Sequence, residues 1–247
     1  MSCASSHAVD DPKHTPQPPL VSCIVPVFNG ERYLRAALES ILRQAHRPIE
    51  IIVVDDGSTD ATPDVVAAYA GCVRSLQQAN AGPAAARNCG VRAARGAFIG
   101  FLDADDLWHP DKLAQQMARF VARPELDLCF THLRNFWIAE LSDDAVRFRG
   151  HRIMQPLPAY AASTLLARRR VFESVGEFDA TLRFGHSTEW FLRATERGVV
   201  SEMLPEVLYY RRLHHSNRSR RLGAASRDEY LDIVKAHLHR QRRERGC

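Results

Sequence analysis

Val21-Ser22-Cys23-Ile24-Val25-Pro26-Val27-Phe28-Asn29-Gly30 is a short apolar, β-branched run closed by Asn-Gly. That is the pattern of a strand buried on both faces and ended by a turn. Working outward, Glu31 to Gln44 places Tyr33, Leu34, Ala37, Leu38, Ile41 and Leu42 at helical spacing. Ile49 to Val54 repeats the buried-strand pattern and stops at Asp55-Asp56-Gly57-Ser58. Thr62 as N-cap and Pro63 at the first helical position predict a helix through Ala70. Val73 to Gln77 reads as a third strand, and the alanine-rich Pro83 to Ala94 as a helix. Ala97 to Leu102 is the next buried strand, ending on Asp103-Ala104-Asp105-Asp106. Strand and helix alternating in this way predict an α/β fold, a doubly wound and mostly parallel central sheet. Ligands of such sheets bind beyond the carboxyl ends of the strands. Asn29, Asp55-Asp56 and Asp103 to Asp105 stand at three of those ends.

The rest of the chain is ordinary globular material. Of 247 residues, 45% are hydrophobic and 25% charged, and 33 Lys+Arg against 29 Asp+Glu leave a net charge of +4. A chain of this size buries roughly 70–75% of its unfolded surface without staples. Collagen, a disulfide miniprotein and a wholly disordered chain are excluded. No apolar run reaches the ~18 residues of a membrane span. Six scattered cysteines without a CxxC pair predict a reducing, cytoplasmic compartment and argue against zinc. Residues 1–19 are polar and proline-rich, the composition of a disordered tail.

Beyond Asp111 the pattern predicts a helix to about Val121, a strand near Leu126 to Thr131, and a hairpin across Arg134 to Ile153. A strand over Ala162 to Leu166, helices over Arg170 to Val175 and Glu189 to Arg197, and an extended Met203 to Tyr210 come next. From Arg211 the chain carries eleven Lys/Arg against four Asp/Glu. A basic helix from about Ser226 is expected to pack on the domain through Tyr230, Ile233, Val234 and Leu238. Its charge is either solvated or attracted peripherally to anionic lipid at the inner face of a membrane. No nucleic-acid-binding module accompanies it.

The first strand-helix turn lacks the GxGxxG of a dinucleotide site, and no Walker lysine motif occurs. What remains is acidic. Asp103 and Asp105, two residues apart on extended backbone, would point the same way. Crowded carboxylates repel and usually require a cation. Hard oxygen ligands without paired Cys or His favour Mg²⁺ or Mn²⁺. The bland alternative is a helix-capping cluster in a solvated turn.

Four segments occur in order: Val25-Pro26-Val27-Phe28-Asn29, Asp55-Asp56-Gly57-Ser58-Thr59-Asp60, Asn80-Ala81-Gly82 with Ala86-Arg87-Asn88-Cys89-Gly90, and Phe101-Leu102-Asp103-Ala104-Asp105-Asp106. Together they resemble glycosyltransferase family 2, the inverting, nucleotide-sugar-dependent transferases of GT-A fold. The resemblance is strong over about residues 20–120 and continues to about 217. It implies a GT-A domain over 20–217, with a nucleotide-sugar half at 20–120 and an acceptor half at 121–217, followed by a basic segment at 218–247.

The resemblance also implies roles. Asp56 matches the acid that bonds the donor's base, usually uracil, with Pro26 and Asn29 bordering that pocket. Arg87 approaches the donor phosphates and ribose, or else serves a structural ion pair. Asp103 contacts the ribose or a metal-bound water, and Asp105 ligates the metal. Arg211 to Asn217 resembles the family's later basic-His motif, in which His214 would meet metal or phosphate and Arg212 phosphate. The base is usually the Asp of a Glu-Asp pair, which aligns with His186-Ser187 in Phe184-Gly185-His186-Ser187-Thr188-Glu189-Trp190. Serine is no ordinary base near neutral pH, so Glu189 or His186 would take that role, or deprotonation comes from elsewhere. Otherwise the chain is a non-catalytic nucleotide-sugar binder. A nucleotidyltransferase would need a glycine-rich basic loop after the first strand, which Pro26 to Glu31 lacks. The acceptor stays open among glycan, lipid carrier, small molecule and peptide.

Overall fold

All seven residues of the first strand, β1 (Val21–Val27), are buried, because the sheet is covered on both sides. The computed structural model describes residues 17–217 and 223–245, so most of the expected N-terminal tail lies outside the described residues. After β1 come α1 (Leu34–Leu42), β2 (Ile49–Asp55), α2 (Thr62–Ala67), β3 (Val73–Gln77), α3 (Pro83–Ala93) and β4 (Phe98–Phe101). The chain continues through β5 (Leu107–Trp108), α4 (Lys112–Ala122), β6 (Leu128–Trp137), α5 (Ser142–Arg147), β7 (Leu157–Pro158), β8 (Leu166–Arg168), α6 (Arg169–Val175), α7 (His186–Glu196), β9 (Ser201–Leu213) and α8 (Gly223–Arg245).

The sheet order is β3-β2-β1-β4-β8-β6-β9-β5, with β7 beside β6. The four strands β3, β2, β1 and β4 are mutually parallel, as expected. The second half is mixed: β8 runs antiparallel to β4 and β6, while β9 is parallel to β6. Strands are added on one side of β1 as β2 and β3 and then on the other as β4, so the crevice at the carboxyl ends of β1 and β4 is the fold's switch point.

Alternate residues of β1 feed two cores, as the period of two in a strand requires. Cys23 and Val25 pack with Leu34, Leu38, Leu113 and Phe120 on one side. Ile24 packs with Ile52, Val54, Ala86, Phe101 and Trp190 on the other. Gly90 lets α3 lie against β1, since a Cβ there would come within 2.4 Å of Ile24. Arg87 is thereby fixed close to the strand ends.

Four local expectations give way. Thr62 is the first residue of α2 and not its cap. Asp60 takes the capping contact, accepting from the Thr62 amide at 3.0 Å and from its hydroxyl. The expected hairpin over 134–153 is instead a longer β6 followed by 3-10 turns and α5. Asp143 and Asp144 in the first turn favour that helix. Asn135 donates to the Ile153 carbonyl at 2.6 Å and pins the excursion back on the strand. The expected strand over Ala162 to Leu166 is a 3-10 turn at Ala162–Thr164, with β8 starting only at Leu166. The Thr164 hydroxyl donates to the carbonyls of Ala159 and Ala161, which competes with strand pairing.

The fourth concerns α8. Ile233 is buried as expected, joined by His237, but Tyr230, Val234 and Leu238 face outward. Docking is instead polar. The Glu229 carboxylate accepts the amides of Arg183, Phe184 and Gly185 at 2.9, 2.7 and 2.6 Å, immediately before α7. At the far end of α7, Glu196 meets His237 at 2.6 Å and Arg240 at 3.0 Å. Glu229→Gln is expected to cost about 1–2 kcal/mol by weakening charge-assisted bonds at a helix N-terminus, read as a lowered denaturant midpoint. An unchanged midpoint would mean that α8 is held elsewhere. Among the described residues no helix is long and apolar enough to cross a membrane.

Candidate active site

The turn after β1 puts Asn29 at φ 51°, a left-handed conformation asparagine tolerates. Its Oδ1 accepts the Thr59 amide at 2.8 Å, and its own amide donates to Ser58 Oγ at 2.9 Å. The loops after β1 and β2 are thus stitched together. Pro26 is buried inside β1 opposite Val54, beneath this turn and away from an open surface.

Asp56, buried at the end of β2, accepts Gln78 Nε2 at 2.7 Å and the amides of Ala81 and Gly82 at 2.9 and 2.8 Å. It therefore shapes the loop that enters α3. Two of these bonds fall on Oδ1 and one on Oδ2, which leaves Oδ2 an accepting position.

The chain turns at Ala104-Asp105 rather than staying extended, so the two acids of Asp103-Ala104-Asp105 take different partners. Asp103 Oδ1 lies 2.5 Å from Arg87 Nη2. The same buried guanidinium puts Nη1 2.6 Å from His186 Nε2. Arginine donates only, so in this contact His186 accepts through Nε2. Arg87 Nε, also buried, has no hydrogen-bond partner among the described residues. Arg87 thus links the acidic turn to the start of the helix that carries His186.

Asp105 Oδ2 lies 2.8 Å from His214 Nε2 and 3.4 Å from Asn217 Nδ2. Arg212 Nε donates to the Asp105 carbonyl at 2.8 Å, and the Arg212 amide to Asp106 Oδ1 at 2.7 Å. The Arg212 guanidinium sits 4.7 Å from the Tyr33 ring and 4.8 Å from that of Phe136. Tyr33 also contacts the His214 ring. The end of β9 is thus wrapped around the acidic turn. Asp106 receives the Tyr209 hydroxyl. Burial, with Asp105 and Asp103 nearby, pushes Asp106 well above the ordinary carboxylate range.

Asp106, Asn217, Tyr33 and Gln78 were not among the residues expected from sequence. Asp106 could have been found from its place in the acidic run. Asn217 closes the Arg211 to Asn217 segment and could have been found there, whereas Tyr33 and Gln78 carry no sequence signal of their own.

Gly185 stands at the N-cap position of α7, and His186 begins it. Glu189 is held by Arg193 at 2.7 and 3.0 Å, and Arg193 also donates to the carbonyls of Val175 and Glu177. No cluster of three or more His, Cys, Asp or Glu able to hold a metal ion exists among the described residues.

Over residues 22–176, well over half its length, the sequence matches the family described as Glycosyl transferase family 2. The chain belongs to that family. It is a glycosyltransferase enzyme of GT-A fold, as the motifs implied. It is 30% identical to the uncharacterised glycosyltransferase EpsJ of Bacillus subtilis over 230 residues, covering 86% of this chain and 67% of that one. An uncharacterised glycosyltransferase of Rickettsia prowazekii is 27% identical over 246 residues, covering 92% and 74%. Among solved structures, S. aureus TarS 1-349 in complex with UDP-GlcNAc superposes with TM-score 0.70 at 19% identity, covering 88% of this family 2 chain and 65% of TarS 1-349. The mannosyltransferase PcManGT of Pyrobaculum calidifontis, in complex with GDP-Man and Mn²⁺, gives 0.66 at 21%, covering 95% and 68%. The chain spans 38% of the longer TarS chain.

Proposed function

We propose that this enzyme moves a sugar from a nucleotide-sugar, a UDP-sugar, to an acceptor hydroxyl with inversion and with the help of a divalent ion. The observation that carries this reading is the meeting, at the switch point, of Asp103 and Asp105 with Arg87, Arg212 and His214. Two acids and three basic side chains there suit a diphosphate and its cation. Asp56, with a free position on Oδ2, is the group for the N–H of a base, and Asn29 shapes the adjoining turn. TarS binding UDP-GlcNAc and PcManGT binding GDP-Man support a nucleotide-sugar donor.

The residues present fit a divalent ion. Asp105 Oδ2 and His214 Nε2, 2.8 Å apart, are spaced much as neighbouring ligands of an octahedral ion with bonds of about 2.1 Å. A carboxylate with an imidazole suits Mn²⁺, and Mg²⁺ with water completing the shell. When bound, the ion would offset charge building on the departing diphosphate. Arg87 and Arg212 contribute fixed positive charge to the same end, held in place before the reaction and so without reorganisation.

For the base, Glu189 is the better candidate. His186 has its accepting nitrogen engaged by Arg87, whereas a carboxylate held by one guanidinium keeps a second accepting position on each oxygen. The pairing with Arg193 also favours the competing reading of a binder without turnover. UDP release from UDP-GlcNAc, with GDP-Man as the comparison donor, decides between them across glycan, lipid-carrier, small-molecule and peptide acceptors. Glu189→Gln is expected to slow transfer by about 10²–10⁴-fold while UDP affinity, read by calorimetry with Mn²⁺ and with EDTA, stays unchanged. Full turnover in the variant would remove Glu189 from the mechanism. The cysteines Cys23, Cys72, Cys89 and Cys129 are free, and we assign the enzyme to the cytoplasm.

A further inference from the structure

The outward face of α8 carries none of the residues assigned to the donor, and its composition is specific. Tyr230, Leu231, Val234 and Leu238 are 41%, 50%, 42% and 47% exposed, four large apolar side chains on one helix. Their spacing of one, four and eight residues from Tyr230 makes a single stripe. Exposed Arg227 lies within the stripe, and exposed Lys235 and Arg242 lie along its edge. Asp228 follows Lys235 closely on the same edge of the wheel and Asp232 lies farther round, where Lys235 meets it at 3.5 Å on open surface. The opposite face is fixed by Glu229, Ile233, His237 and Arg240. Gly185 seats it, because a Cβ there would come within 2.2 Å of Ile233. The stripe therefore cannot turn inward without undoing that docking.

We propose that this stripe of α8 binds the surface of an anionic lipid bilayer, reversibly and in the plane of the interface. Charge complementarity selects the occupant. Aliphatic side chains bordered by arginine and lysine suit acyl chains beneath anionic headgroups. A phosphate backbone would use the arginines and leave Leu231, Val234 and Leu238 idle. Four apolar residues give weak anchoring, so the basic residues must supply much of the attraction, which salt screens. Lipid binding by α8 is independent of the donor chemistry.

The test is flotation of the full chain with phosphatidylglycerol-containing vesicles, against pure phosphatidylcholine vesicles, at low salt and at about 0.5 M salt. Binding is expected only to the anionic vesicles and is expected to fall at high salt. Arg227→Ala with Arg242→Ala should lower partitioning about fivefold per residue. Leu231→Glu with Leu238→Glu, both on the exposed face and checked for an unchanged denaturant midpoint, should abolish it. Three results would overturn the proposal: no flotation of the unaltered chain, equal flotation of the Leu variant, or sedimentation showing a dimer that the Leu variant dissociates.

Discussion

Asp105→Ala is expected to lower transfer from UDP-GlcNAc, or from whichever donor proves active, by about 10²–10³-fold, the loss typical of removing one preorganised group that stabilises developing charge. It is also expected to abolish any difference in UDP affinity between Mn²⁺ and EDTA. Asp105 is the acid of the turn whose carboxylate meets the segment just after β9, through His214 and Asn217. Asp103 is committed to Arg87 and Asp106 to Tyr209 and the Arg212 amide. Neither can replace it without breaking a buried contact. Stability should fall by no more than about 1–3 kcal/mol, the cost of leaving buried His214 without its carboxylate partner, because the Arg212 bond to this turn goes to the Asp105 carbonyl, which alanine keeps. The denaturant midpoint therefore separates a lost function from a lost fold. A variant that turns over normally, or that keeps metal-dependent UDP binding, would remove Asp105 from the site and with it the proposed position of the ion.

The site was legible where it depended on strand ends and illegible where it depended on partners far along the chain. β1, β2 and β4 announce themselves because burial on both faces forces uninterrupted apolar runs, and the polar residues that end each run must lie at the crevice. Asn29, Asp56 and Asp103 to Asp105 are placed in this way by pattern alone. Pattern cannot say that Arg87 reaches His186 across 99 residues, or that Asp106 closes on Tyr209. Those contacts arise from packing α7 and β9 against the turn. Nor can a pattern resolve α8, whose apolar residues lie on two faces. Ile233 docks and Tyr230, Val234 and Leu238 do not, because Glu229 finds three amides and Gly185 leaves room for only one side chain. The turn at Ala104 escaped for a related reason: spacing of two implies one face only while the backbone stays extended, and β4 ends at Phe101.

A second large effect is expected in stability against pH, and it comes from a residue away from the site. Lys112 is fully buried at the start of α4, donating to Gln116 Oε1 at 2.8 Å and lying 4.4 Å from the Trp108 ring centre. Burial drops its ammonium from 10.5 to about 7. Below that, folded and unfolded chains both carry the proton, and the fold bears the cost of enclosing it. As pH rises past 7 the folded protein releases the proton while the unfolded chain retains it up to about 10.5, so stability climbs. Burial raises Cys23 and Cys129 from 9.0 to about 12. Above about 9 the unfolded thiols therefore ionise first, and stability turns down. Between these limits the gain from Lys112 is about 2–3 kcal/mol, since each pH unit contributes about 1.4 kcal/mol when one proton is released. Lys112→Met, near in volume and without charge, should flatten the rise while leaving the decline above about pH 9. Urea midpoints of both proteins measured from about pH 7 to 10 carry the test, and their difference cancels the titrating groups that do not interact with Lys112. Parallel curves would mean that Lys112 keeps its proton when folded, sustained by the Trp108 face and Gln116.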